Sequence, residues 1–197
     1  MKGRWMGAAL AALLLAAVTI PALRENHADA EGICEANPKA ANLGFTLKDM
    51  AGKDVNLAAY KGKVIVLDFW ATWCGPCKFE IPGFVQLQEK YGKDGLQVIG
   101  VSVDDTVEQL QPFVALYRMN YPVLQGLKHE EVQEAFGPMW GIPTSVIISR
   151  DGRICAKHTG LPPTRSSEGS LEQRVKEEFE QQIKALLGPA STSPRVI

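Results

Sequence analysis

The chain has no excess of charge of either sign. Its 197 residues carry 21 Lys and Arg against 22 Asp and Glu, a formal net charge of −1, while 46% of its residues are hydrophobic. A nucleic-acid surface draws on surplus basic side chains, and a disordered chain on high net charge with few apolar residues, so neither class is indicated. Histidine and cysteine are scarce as well. His27, His129 and His158 show no ligand spacing, and of the four cysteines only Cys74 and Cys77 stand together, Cys34 and Cys155 being single. A zinc site takes about four ligands, so no metal is expected, and no other cofactor is called for. The thiol spacing does not suit a copper loop, the single-cysteine pattern of a peroxidase is missing, and no internal repeat is evident.

What is present is organised around Trp73-Cys74-Gly75-Pro76-Cys77. Val64 to Trp70 is an apolar run that follows the turn residues Lys61-Gly62-Lys63 and reads as a buried strand. The run breaks at Ala71-Thr72 and restarts as a helix from about Pro76 to Tyr91. The two cysteines therefore fall at a strand-to-helix junction, where free N–H groups and partial positive charge favour thiolate over thiol. Pro76 suits the first turn, because its missing N–H would have had no partner. Two intervening residues let the second sulfur attack a mixed disulfide on the first. The pattern is that of a redox dithiol, with Cys74 attacking and Cys77 resolving. An inert disulfide staple is the plainer alternative.

Asp68-Phe69-Trp70-Ala71-Thr72-Trp73-Cys74-Gly75-Pro76-Cys77-Lys78 resembles the active-site segment of thioredoxins, and residues 44–77 resemble the TlpA/ResA kind more closely. The resemblance covers about residues 40–188. It implies an α/β thioredoxin fold: a mixed central sheet with helices on both faces and an extra N-terminal β-hairpin. It also implies thiol–disulfide exchange outside the cytoplasm, with disulfide-containing protein substrates such as apocytochrome c, and a membrane thiol-transfer protein as electron donor. The Gly-Pro between the cysteines resembles that of reducing thioredoxins.

The length suits one domain with extensions. Residues 1–30 read as a targeting segment: Lys2 and Arg4, then an apolar stretch from Met6 to Leu23, then Ala28-Asp29-Ala30 as a small-x-small cleavage site. A cleaved signal peptide is preferred over an uncleaved membrane anchor, because the apolar stretch is barely long enough to span. Either way the domain at 40–188 is expected in an extracytoplasmic, periplasmic or secreted location, with a flexible tail at 189–197. In an oxidising compartment Cys34 and Cys155 are free to form a structural disulfide; two independent thiols are the alternative.

Phe45-Thr46-Leu47 and Val55-Asn56-Leu57 read as a hairpin about Ala51-Gly52-Lys53-Asp54. Leu96 to Val103 is the next strand, Thr106 to Arg118 a helix with Val107, Leu110, Val114 and Tyr117 on one face, Pro122-Val123-Leu124 a short edge strand, and Glu130 to Phe136 a short helix. Val146–Ser149 and Arg153–Ala156 flank the turn at Asp151-Gly152. Residues 161–167 read as a loop. Ser170 with Gln173 opens a last helix whose apolar face is Leu171, Val175, Phe179, Ile183 and Leu186, stopped by Gly188-Pro189.

The remaining candidates surround the cysteines. Trp73, Gly75 and Pro76 are candidate substrate contacts, whereas Trp70 is either beside the sulfurs or plain core. Gly141-Ile142-Pro143-Thr144 matches the cis-proline loop of thioredoxins, which implies a cis Pro143 and an Ile142 backbone to which an extended substrate can pair. Asp68 is an acid in an apolar strand: a solvated strand end, or a desolvated carboxyl that exchanges the Cys77 proton. The lysine thioredoxins carry nearby corresponds to about Gly100, and TlpA/ResA-like chains often have Asn in place of Asp68. Glu80 lies one turn beyond Cys77; the resemblance implies an acid that tunes the thiols, the alternative being a solvated helix residue. His129 and His158 read as surface residues.

Overall fold

The structure is a computed structural model and describes residues 33–34, 37–164 and 167–188. The expected targeting segment (1–30), the tail (189–197) and loop residues 165 and 166 lie outside the described residues. The hairpin strands are β1 (Thr46–Lys48) and β2 (Asp54–Asn56), followed by β3 (Val64–Trp70), helix α1 (Cys77–Tyr91), β4 (Leu96–Ser102), α2 (Val107–Tyr117), β5 (Val123–Gln125), α3 (Glu130–Ala135), β6 (Thr144–Ile148), β7 (Ile154–Thr159) and α4 (Leu171–Leu187).

The main sheet is five-stranded in the order β5-β4-β3-β6-β7. β3 and β5 each run parallel to β4, while β6 runs antiparallel to β3 and β7 antiparallel to β6. Every residue of β3 and β4 is buried, as central strands covered on both faces require. Alternation along β3 then divides the core. Val64 and Val66 pack with Phe84 and Leu87 of α1 and Val175, Phe179 and Ile183 of α4. Ile65, Leu67 and Phe69 pack on the other side with Leu47, Leu57, Val132 and Phe136. Asp68 and Trp70, by the same alternation, belong to the α1 side. Gly83 makes the α1–α4 approach possible, since a Cβ there would stand 3.0 Å from Cβ of Lys176. Phe84 and Phe179 meet edge-on across the same seam, with centroids 4.8 Å apart.

The N-terminal segment touches both edges of this sheet. On one side Ala40 bridges Arg153 and the Ile154 N–H donates to Lys39 O at 2.8 Å; on the other Asp49 bridges Leu124 of β5. Cys34 and Cys155 are disulfide-bonded, with Cα atoms 4.0 Å apart, on the first of these edges.

Several local expectations shift. Leu57 is not in the hairpin strand but opens a 3-10 helix, Leu57–Tyr60, where Asn56 Oδ1 accepts the Ala58 N–H at 2.8 Å. In α2 the buried residues are Leu110 and Phe113, while Val107 is only half-buried; the Phe113 ring packs on Trp70, with centroids 5.0 Å apart. Leu171, at the first turn of α4, remains 37% exposed and does not join the buried face. His158 is half-buried rather than on the surface, its ring edge-on to Phe179 and its Nε2 3.0 Å from Gln182 Oε1. Among the described residues no helix is long and apolar enough to cross a membrane.

Candidate active site

β3 delivers the chain to the sheet's end at Trp70, and the next six residues carry it into α1. Asp105 holds this crossing in place. Its carboxylate accepts the Thr72 N–H at 2.8 Å, the Thr72 hydroxyl at 2.5 Å and the Ser102 hydroxyl at 2.6 Å, tying the loop to the end of β4. The Cys74 N–H donates to Ala71 O at 3.1 Å, and the Lys78 and Phe79 N–H groups donate to Gly75 O and Pro76 O. Cys74 and Cys77 form a disulfide, both sulfurs lying in a buried cluster with Trp70, Ala71, Ile81, Leu110 and Phe113. The Cys77 N–H, the first of α1, points at Cys74 Sγ at 3.2 Å. A helix N–H and the positive end of the helix both favour negative charge on a sulfur so placed.

Asp68 and Glu80 are both buried, each only 1% exposed, so neither is the solvated residue its position alone would allow. They meet at one hydroxyl. Ser145 Oγ lies 3.2 Å from Asp68 Oδ1 and 3.5 Å from Glu80 Oε2. Burial pushes the Asp68 carboxyl up to about 7, against a smaller lowering from Ser145. Glu80 is pushed up to about 9, by burial first and then by the neighbouring Asp68 charge, again with Ser145 opposing. Two carboxyls this close in a dry site do not both ionise readily, so the pair retains a proton through neutral pH. It lies on the α1 side of the sheet, with Asp68 two residues before Trp70 and Glu80 one turn after Cys77. A carboxyl pair that holds a proton near neutral pH therefore lies on the side of the sheet covered by the helix that begins at Cys77.

The other side of the disulfide is the loop before β6. The Ile142–Pro143 bond is cis, and Ile142 packs against the cluster that holds both sulfurs. The Thr144 hydroxyl donates to Gly141 O at 2.7 Å, and Gly160 N–H donates to Pro143 O at 2.8 Å, fastening the loop at both ends. Trp73 is 62% exposed, with its indole N–H donated to Asp104 Oδ2 at 3.1 Å, and Gly75 and Pro76 are exposed beside it. Trp70, by contrast, is fully buried.

The structure thus gathers Cys74, Cys77, Asp68, Glu80, Trp73, Gly75, Pro76, Ile142 and Pro143 at one end of the sheet. It places Cys34 and Cys155 apart from them, at the edge. Two residues at the site were not singled out from the sequence. Ser145 had a readable signal, a hydroxyl two residues after Pro143 in an apolar strand. Asp105 had none, because two of the three hydrogen bonds it accepts come from Thr72, thirty-odd residues away. Among the described residues no three His, Cys, Asp or Glu side chains are grouped as a metal site.

This geometry can be set beside known proteins. A model of the AhpC/TSA family matches residues 38–157. The thiol-disulfide oxidoreductase ResA of Halalkalibacterium halodurans is 31% identical over 185 residues, covering 93% of this chain and 96% of that one. The Bacillus cereus protein of the same name is 29% identical, covering 94% and 98%. Among solved structures, a thiol:disulfide interchange protein of the thioredoxin family from Chlorobium tepidum TLS superposes with a TM-score of 0.65 at 29% identity, over 79% of this chain and 100% of that one. A redox disulfide at a helix start, a cis-proline loop against it and relatives that share almost the whole length converge: the chain belongs to the AhpC/TSA family, and within it to the thiol–disulfide oxidoreductases of thioredoxin fold.

Proposed function

We propose that this oxidoreductase reduces protein disulfides outside the cytoplasm, with Cys74 as the attacking thiol, Cys77 as the resolving thiol and the Asp68–Glu80 pair as the store for the Cys77 proton. The observation that carries the assignment of roles is the Cys77 N–H aimed at Cys74 Sγ, 3.2 Å away at the start of α1. A negative charge is best accommodated on the first sulfur, and the thiolate is the nucleophile.

Starting from the dithiol, the Cys74 thiolate attacks one sulfur of a substrate disulfide. A bond forms between Cys74 Sγ and that sulfur, the substrate S–S bond breaks, and the second substrate sulfur leaves as a thiolate that takes up a proton. Cys77 then passes its proton to the carboxyl pair, and its thiolate attacks Cys74 Sγ. The Cys74–Cys77 bond forms, the mixed disulfide breaks, and the departing thiolate takes up a proton. Two electrons have moved from the protein to the substrate. An extended substrate segment would pair with the Ile142 backbone, beside Pro143, while Trp73, Gly75 and Pro76 face its side chains.

The reducing direction rests on the Gly75-Pro76 pair between the cysteines, which resembles thioredoxins with potentials near about −270 mV. A reductant outside the cytoplasm needs its dithiol restored, which calls for a membrane thiol-transfer protein as donor. Oxidised apocytochrome c is the acceptor the resemblance suggests, and residues 1–30 would serve as the export signal or tether. Equilibration against glutathione and thioredoxin tests the direction. A potential near about −120 mV, the range of strong oxidants, would select the oxidase or isomerase reading instead. Metal retained through purification, with no disulfide reductase activity, would select a non-enzymatic assembly module.

A further inference from the structure

Tyr121 lies in the short connection between α2 and β5, and nothing in its local sequence marks it. It is 7% exposed, in the cluster that includes Phe84 and Leu87 of α1 and Val98 of β4. Both its flanks are fastened. Asn120 Nδ2 donates to Val85 O of α1 at 3.1 Å, and Gly100 N–H donates to Pro122 O at 2.9 Å. Its ring comes up against Gly100, where a Cβ would be 3.5 Å from Tyr121 Cε2 and 2.8 Å from Trp70 Nε1. Gly100 is the direct neighbour of Asp68 across the β3–β4 ladder. The missing side chain at Gly100 therefore leaves room in which a phenol, an indole and a buried acid share one neighbourhood.

The polar atoms there form a complementary set. Four buried side-chain atoms of this neighbourhood have no hydrogen-bond partner among the described residues: Asp68 Oδ2, Glu80 Oε1, Trp70 Nε1 and the Tyr121 hydroxyl. Two can accept and two can donate. Buried polar groups are ordinarily paired, and an unpaired cluster points to a demand that arises in another state of the site. The state in question is the one in which the carboxyl pair has lost its proton.

We propose that Tyr121 is a positioning residue of the dithiol reaction: its phenol, together with the Trp70 indole, supplies the hydrogen-bond donors that steady the charged form of the Asp68–Glu80 pair while the Cys77 proton moves. The proposal rests on that pair being the proton store. Whether the donor reaches the carboxylate directly or through a bridging water, it lowers the cost of a charge the dry site otherwise resists. Burial first, then the charges of Asp68 and Glu80, hold the Tyr121 phenol protonated well above the usual phenol range, so it stays a donor throughout. The other polar and titratable groups near this face have partners of their own. Ser145 is shared by the two carboxyls, His158 faces Gln182 at 3.0 Å, and Glu178 of α4 accepts from Gln182 Nε2 at 3.4 Å. Cys77 lies in the adjoining cluster with Trp70, and it is the proton's source.

Tyr121→Phe removes the hydroxyl and keeps the ring. The rate at which Cys77 resolves a mixed disulfide on Cys74, followed in single turnover from pH 5 to 10, should shift its midpoint upward by about half a unit, roughly threefold in rate on the acid side. The thermal midpoint of the oxidised protein serves as the check on folding. An unchanged pH profile in a folded Tyr121→Phe protein overturns the proposal. If Asp68→Asn shifts the profile and Tyr121→Phe does not, Tyr121 alone is excluded and the carboxyl pair stands; if Asp68→Asn leaves it flat, the proton store fails and this proposal with it. Should Tyr121→Phe not fold, the unmodified protein decides. With ring-carbon-labelled tyrosine, the Tyr121 13Cζ signal should follow the titration of the pair and lose that step in Asp68→Asn. A flat signal overturns the proposal.

Discussion

Asp68 and Gly100 are direct neighbours across the parallel ladder of β3 and β4, so the strand beside the buried acid presents no side chain at that level. The lysine that the thioredoxin resemblance would put there has no room here, because even a Cβ would stand 2.8 Å from Trp70 Nε1. The acid has no cation beside it on that strand, and it shares the Ser145 hydroxyl with a second acid, Glu80. Its charge is costly in the folded state and harmless in the unfolded one.

That asymmetry predicts how stability changes with pH. Both carboxyls are pushed up in the folded protein, Asp68 to about 7 and Glu80 to about 9. Between the unfolded values near about 4 and these, the folded chain holds more protons than the unfolded chain, so stability falls as pH rises. Asp68→Asn should therefore gain about 1–2 kcal/mol at pH 8, the scale of an unpaired buried polar group, and flatten the decline between pH 5 and 9. Chemical denaturation across that range measures it, and a decline as steep in the variant would refute it.

The two sulfurs should behave differently. Cys77→Ser should accumulate mixed disulfides on Cys74 when mixed with disulfide-bonded protein, while Cys74→Ser should lose turnover altogether. Intact-mass and peptide mapping read the adducts. Stable adducts on Cys77 in the Cys74→Ser protein would reverse the roles.

Removing the edge disulfide should cost stability and leave the chemistry intact. Its partners are 121 residues apart, which on the chain-entropy relation corresponds to roughly 4–5 kcal/mol as an upper figure. The Cys34→Ser, Cys155→Ser double variant should lose about 2–5 kcal/mol and retain the wild-type Cys74–Cys77 potential. A shifted potential would show that the edge and the active site are linked.

Asp105 accepts three hydrogen bonds from Thr72 and Ser102. Asp105→Ala leaves those donors without it, at about 1–3 kcal/mol for an unsatisfied buried group, and loosens the loop that aims Cys74. Turnover should fall while the Asp68–Glu80 titration stays in place. Undiminished turnover would remove Asp105 from the support of the site.

The parts of this site that could be read from the sequence are those made by neighbours in the chain. Trp73 to Cys77 announces its own strand–loop–helix junction, and Pro76 suits the turn it occupies. Gly141 to Thr144 is likewise a local pattern. What could not be read is set by contacts across the sheet. Glu80 is buried because α1 lays that side on β3 and β6, and Ser145 matters because the β3–β6 register places it opposite Asp68. Phe113 is buried for the same kind of reason, since the ring it packs on, Trp70, is forty-odd residues away. The 3-10 helix at Leu57 was hidden by a hairpin pattern one residue too long.

The N-terminal segment has a consequence for how copies of this protein meet one another. A sheet with open edges offers unpaired backbone groups to any passing strand, the usual start of edge-to-edge aggregation. Here the same stretch of chain lies against both margins, pairing Ala40 with Arg153 on one side and Asp49 with Leu124 on the other. Strand addition at those positions must first displace it, and on the β7 side the Cys34–Cys155 bond holds it covalently. One stretch of chain thus blocks part of each margin against pairing with a second copy, and a covalent bond keeps it in place on one of them.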